Sequence, residues 1–210
     1  MKLNKYKYII WDFDGVILNS DAIRELGFVE TLNKFPKDQV NLLLNYHRDN
    51  GGLSRYNKFR YFYEEILDAE VTEERINELA KAFSKIMLSK LTDKKLLIQD
   101  SIKFIIEKHK HLVMFIASGS DNKELNHLCK ELGIAKYFKS INGSPTHKNE
   151  IVKTILQDHS NFSVANFVLI GDSKNDFDAA QSNRIDFFGY NNLDLKNISD
   201  HYINSFKNEA

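Results

Sequence analysis

The stretch KYIIWDFDGVILNS, residues 7–20, decides how the chain is read. An apolar run from Tyr8 to Trp11 stops abruptly at Asp12, Phe13, Asp14 and Gly15. Side chains on an extended strand alternate faces. Asp12 and Asp14 are therefore expected on one side, with Phe13 on the other. Two carboxylates held close resist ionising together, and a cation beside them would remove that cost. The rest of the sequence then has to supply what such a site needs.

Two later segments repeat the design. HLVMFIASGS (111–120) is an apolar run ending in small polar residues, and ANFVLIGDSKND (165–176) ends in Gly171 and Asp172. Both read as buried parallel strands followed by turns, over 112–117 and 166–170. RIDFFGY (184–190) and SINGSP (140–145) are shorter candidates. Helical patterns lie between them at 121–132, 147–158 and 174–182. The first begins with Asp121 as N-cap and Glu124 at the third helical position, and stops at Gly133. Strands alternating with helices predict an α/β fold, a Rossmann-like parallel sheet covered on both faces.

Residues 21–92 differ. DAIRELGFVETLNKF, PKDQVNLLLNYHRD, SRYNKFRYFYEEIL and TEERINELAKAFSKIMLSKL are amphipathic helical stretches, separated by Phe35-Pro36, Asn50-Gly51-Gly52 and Asp68 to Thr72. The expected organisation is a core of 1–17 and 93–210 with a helical cap over 18–92. In open parallel sheets ligands bind at the carboxyl ends of the strands, and an insert leaving after Asp14 sits over that edge. Its hinges are expected at Leu18 to Asp21 and Thr92 to Lys94.

The composition sets the outer bounds. The 210 residues are 42% hydrophobic and 28% charged, ordinary for a globular domain. Lys plus Arg and Asp plus Glu are 29 each, so no basic field argues for nucleic acid. No apolar run approaches the ~20 residues of a membrane helix. MKLNKYKYII has no signal-peptide hydrophobic region, and Cys129 is the single cysteine. The expectation is a cytoplasmic protein, monomeric or homodimeric, with no membrane or nucleic-acid partner.

The polar residues at the predicted strand ends form one set. Asp12 and Asp14 follow the first strand, and Ser118, Gly119 and Ser120 the second. Gly171, Asp172 and Asp176 follow a later one, and Lys148 opens the helix after SINGSPTH. DFDGV, ASGS, Lys148 and GDSKND resemble, in order, the four motifs of the haloacid dehalogenase-like hydrolase superfamily. The insert resembles its C1-type cap, as in phosphoglycolate phosphatase and β-phosphoglucomutase. The resemblance covers residues 5–19 and about 94–190.

It implies a Mg²⁺-dependent phosphatase acting on a small phosphorylated metabolite, a sugar phosphate or phosphoglycolate-like ester. Asp12 is then the nucleophile, forming an aspartyl-phosphate. Asp14 is the general acid and then the base. The metal ligands implied are the Asp12 carboxylate, the Asp14 backbone carbonyl and the Asp172 carboxylate, with Asp176 holding metal waters or orienting Lys148. Ser118 and the amides of Gly119 and Ser120 are expected to hydrogen-bond phosphate oxygens, and Lys148 to offset charge on nucleophile and phosphoryl group. An acid at position 14 argues against carbon–halogen cleavage. A phosphomutase of the β-phosphoglucomutase type and a non-catalytic phosphate-binding regulator are the alternatives. On the stretch 54–67, Arg55, Lys58, Phe59 and Phe62 share one helical face. Arg55 and Lys58 are expected either to meet a second anionic or polyol group of the substrate or to be solvated charges.

Overall fold

The computed structural model describes residues 3–209. Six strands form one parallel sheet: β1 (Tyr8–Trp11), β2 (Val113–Asp121), β3 (Ser140–Ser144), β4 (Phe167–Gly171), β5 (Asp186–Tyr190) and β6 (Tyr202–Ile203), in the order β3-β2-β1-β4-β5-β6. The order reverses between β1 and β4. That reversal opens a crevice at their carboxyl ends, and it is where Asp12 and Asp172 stand.

Alternation along the strands divides the apolar side chains between two faces. Ile9, Trp11, Ile116 and Ile170 join one cluster with Phe13. Tyr8, Ile10, Phe115 and Leu169 join the other. The second face is covered by α7 (Lys148–Asp158) and α8 (Lys174–Ser182), through Ile151, Val152, Ile155, Ala179 and Ala180. The first is covered by α5 (Gln99–Lys108) and α6 (Asn122–Glu131), through Ile102, Ile105, Leu125 and Leu128.

Between β1 and β2 the chain forms the helical insert: α1 (Asp21–Thr31), α2 (Lys37–Asp49), α3 (Arg55–Tyr61) and α4 (Glu73–Lys90). Thr72 and Ser54 cap α4 and α3 by accepting from backbone amides three residues on. The stretch expected as one helix from 54 to 67 changes character after Tyr61 and runs as a π-helical turn, Phe62–Ile66. Phe28, Phe59 and Phe83 pack together and belong to the same apolar cluster as Trp11 and Ile116. The insert therefore shares its core with one face of the sheet.

The two chain crossings between insert and sheet lie side by side. Asn19 N–H donates to Leu96 O at 2.8 Å, and Ile98 N–H to Ile17 O at 2.9 Å.

Two expectations are corrected here, and two elements are added. The second strand does not stop at 117. It continues to Asp121 after a register shift against β3, so Ser118 to Ser120 sit on strand backbone rather than in a turn. α5 and β6 had no counterpart in the sequence reading. Glu124 does not complete a capping box. Asp121 accepts from the Lys123 and Glu124 amides, but the Glu124 side chain points elsewhere.

Candidate active site

β1 ends at Trp11, and the two carboxylates that follow it line the same cavity with different partners. The Asp12 amide still donates to Ile170 O at 2.9 Å, which fixes the residue against β4. Its carboxylate accepts from Lys148 Nζ at 2.8 Å, and the same ammonium donates to Asp176. Lys148 is the first residue of α7 and Asp176 lies in the first turn of α8, so the pair comes from the face that Tyr8 and Ile10 occupy. Asp14 turns instead toward the insert. It accepts from Ser20 Oγ (2.5 Å), Ser120 Oγ (2.6 Å) and Arg24 Nε (3.0 Å). Asp12 is in addition gathered with Asp172 and Asp176, with carboxylate oxygens within 4.8 Å of one another.

The electrostatics follow from this placement. Burial and the Asp176 charge push Asp12 up to about 7, against the pull of Lys148. Burial raises Asp172 well above the carboxylate range, with the charges of Asp12 and Asp176 adding to it. Among the described residues no protein donor reaches the Asp172 carboxylate. Asp176 is already committed: it accepts from Ser173 N–H and Oγ as well as from Lys148. Three gathered carboxylates with one ammonium are short of positive charge, and hard oxygen donors of this kind suit Mg²⁺. Asp12 and Asp172 have the free oxygens to hold it, while Asp176 is spent on positioning Lys148.

Asp14 behaves oppositely. Burial works to raise it, but Arg24 and the two hydroxyls outweigh that and leave it below the usual carboxylate range. Arg24 on α1 also donates to Ser120 Oγ (2.8 Å) and to Glu124 (2.5 Å). Arg55 on α3 closes a fork onto the same Glu124, at 2.5 and 2.8 Å. Arg55 is 4% exposed and Lys58 is 3% exposed, so neither is a solvated charge. Arg24 and Glu124 were missed in the sequence. The available signal was a charge on the apolar face of an amphipathic helix, with Arg24 four residues before Phe28 and Glu124 four before Leu128.

Around the crevice, Ser118 is buried, and its hydroxyl oxygen accepts from the Ser120 amide at 3.1 Å. Its own O–H is left to donate to a ligand. The Ser120 amide, expected to face phosphate, is engaged by that hydroxyl, and the Ser120 hydroxyl is spent on Asp14. Asn191 and Asn192 brace the loops from below, donating to Gly15 O (2.9 Å) and Asp172 O (2.8 Å). From above, Gly51 O accepts from Asn175 Nδ2 at 2.6 Å. A Cβ on Gly119 would stand 2.1 Å from Gly52 O, so insert and sheet meet here backbone to backbone. The cavity, of about 80 Å³, is lined by Asp12, Asp14, Asp172 and Ser118 from the sheet side and Arg24, His47 and Lys58 from the insert.

Gly15 has φ +71°, and a Cβ there would fall 1.9 Å from Asp172 Oδ2. Gly15→Ala is expected to displace Asp172 and to add about 1 kcal/mol of backbone strain. Activity should fall at least about 100-fold, roughly 2.7 kcal/mol in barrier, with a lowered melting temperature. An alanine variant of wild-type activity would separate Asp172 from the reaction.

The sequence matches the haloacid dehalogenase-like hydrolase family over residues 9–190. No curated protein sequence matches it. Among solved structures, β-phosphoglucomutase from Clostridium difficile superposes with a TM-score of 0.76 at 16% identity, over 98% of this chain and 93% of that one. CbbY from Rhodobacter sphaeroides, in complex with xylulose-(1,5)bisphosphate, gives 0.76 at 14% identity, over 96% and 95%. A predicted phosphoglycolate phosphatase from Haemophilus somnus gives 0.72 at 17%, over 96% and 95%. At such identities the likeness is one of fold. The matched family spans the first strand, the insert and the sheet through β5, and the chain belongs to the haloacid dehalogenase-like hydrolases.

Proposed function

We propose that the protein is a Mg²⁺-dependent phosphatase that hydrolyses a phosphate monoester of a small metabolite, a sugar phosphate or phosphoglycolate-like ester, through an aspartyl-phosphate on Asp12. The observation that carries this is the Asp12 carboxylate at the end of β1, held by Lys148 at 2.8 Å and gathered with Asp172. A binding module has no need of a carboxylate so placed.

In the first half-reaction an Asp12 oxygen attacks phosphorus in line, and the phosphorus–oxygen bond to the leaving group breaks. Asp14 gives the departing oxygen a proton. In the second, water attacks the same phosphorus and Asp14 takes its proton, freeing Asp12 and inorganic phosphate. Arg24, Ser20 and Ser120 hold Asp14 ionised, which sets the closed site for the base role; the acid role requires that it first gain a proton. Lys148 keeps Asp12 oriented, and Ser118 with the Gly119 amide receives the phosphoryl oxygens. Mg²⁺, when bound, would be held by the Asp12 and Asp172 carboxylates and the Asp14 carbonyl, and would supply charge to offset the phosphate dianion. The insert, taken as a mobile cap on the two paired crossings, excludes water when closed and must open for entry.

Chelation with EDTA is expected to abolish turnover of p-nitrophenyl phosphate, and Mg²⁺ to restore it. Independently, Mg²⁺ should raise the melting temperature, since it binds the folded state and relieves the crowded carboxylates; Asp172→Asn should lose that rise. Turnover that survives full chelation would overturn the metal assignment. Release of inorganic phosphate rather than an isomerised ester separates phosphatase from phosphomutase.

A further inference from the structure

The insert presents three basic residues to the cavity, and their circumstances differ. Arg24 is answered by Asp14 and Glu124. Arg55 is answered by Glu124, donates from the same nitrogen to Ser84 Oγ at 2.8 Å, and lies 4.5 Å over the Phe83 ring. Both of its terminal nitrogens have protein acceptors. Lys58 has no carboxylate within ion-pairing distance among the described residues. Its single hydrogen-bond partner is His47 Nδ1, at 2.7 Å.

An ammonium buried to 3% exposure without an anion is costly. Burial, with Arg24 and Arg55 adding to it against Asp14 and Asp21, pushes Lys58 down to about 7. Burial and the Lys58 charge hold His47 at about 3, so the ring stays neutral and accepts from the amine. His47 orients the amine without answering its charge. Lys58 lines the cavity that Asp12 and Ser118 line from the other side. A group with this cost and this outlook is explained when a ligand brings the missing anion.

We infer that Lys58, backed by His47, seats a second oxyanion of the substrate, a carboxylate or a second phosphate, and that Arg55 is a strut held by Glu124 rather than a substrate contact. The inference rests on the phosphatase reading for the other end of the substrate, and it narrows the substrate class to small bis-anionic metabolites. The cation left over after Glu124 takes both arginines sets the preference. Because burial lowers the amine, seating the anion should draw a proton onto it.

The test compares 2-phosphoglycolate and a pentulose 1,5-bisphosphate with glycerol 1-phosphate, whose far end is neutral, at pH 7.5 with Mg²⁺. The first two probes distinguish a carboxylate from a phosphate as the second anion. In the wild type, kcat/KM for at least one bis-anionic ester should exceed that for glycerol 1-phosphate by 30-fold or more. In Lys58→Met that ratio should collapse at least tenfold, and Lys58→Arg should recover part of it. Binding of the same three compounds is measured by calorimetry in two buffers of different ionisation enthalpy. It should show the same preference, with proton uptake in the wild type that Lys58→Met loses. A wild type that turns over all three equally overturns the inference and leaves the phosphatase reading standing. A wild type that turns over none but binds the bis-anions through Lys58 does the reverse. A ratio unchanged in a folded Lys58→Met protein also overturns the inference.

Discussion

Asp12→Asn is expected to lower kcat at least about 10³-fold, roughly 4 kcal/mol in barrier, with no loss of stability in the metal-free protein. The amide is nearly isosteric but a poor nucleophile, and it removes a charge that Mg²⁺ needs. The stability half of the expectation comes from the cluster. Asp12, Asp172 and Asp176 crowd within 4.8 Å, and burial and mutual repulsion raise Asp12 and Asp172. Removing one of three like charges relieves the other two. Lys148 keeps Asp176 as partner, so no buried ammonium is orphaned. The metal-free melting temperature should therefore equal or exceed that of the wild type, while the rise on adding Mg²⁺ should shrink. Acid-quenched wild-type protein incubated with a phosphorylated substrate should carry the label on Asp12. A variant with near wild-type kcat would end the covalent mechanism; one that unfolds would end the account of the cluster as a site of repulsion.

The sequence carried the sheet because each central strand is a short apolar run ending in polar residues, and burial on both faces selects that pattern. The polar edge was legible for the same reason: Asp12 and Asp172 directly follow the ends of β1 and β4, and a strand end is visible in sequence. β6 was not, since two residues carry no periodicity. The register shift in β2 was not, because it arises from pairing with β3. The partners of Asp14 lay further out of reach. Arg24 and Glu124 are 100 residues apart and meet only when the insert folds back over the sheet. In sequence Glu124 reads as an ordinary capping residue. Arg55 shows the converse. Its position beside Lys58 suggested two equivalent basic residues, and only the placement of Glu124 makes one a strut and leaves the other free.

Glu124 itself should respond strongly to substitution. It is 2% exposed and accepts from Arg24 and Arg55, one from each of two insert helices, while sitting on α6 of the sheet domain. Burial works to raise its carboxyl, and the two arginines outweigh that and hold it ionised. Glu124→Gln keeps the shape and removes the charge, leaving Arg55 with no counter-charge and Arg24 with Asp14 alone. An uncompensated buried charge costs about 3 kcal/mol or more. The protein has two ways to respond. With the insert closed, the full cost should appear as a lower urea midpoint at unchanged slope. With the insert swung open on its two crossings, the arginines reach water, the loss falls below about 1 kcal/mol, and cleavage at the crossing near Thr92 to Lys94 should quicken in limited proteolysis. The second outcome would identify Glu124 as the latch between the insert and the sheet, because opening is then what relieves the charge. It should also lower kcat, since Arg24 is shared with Asp14 and moves away with α1. Glu124→Gln protein that matches the wild type in urea midpoint, proteolysis and kcat would show that the two arginines do not depend on Glu124 in solution.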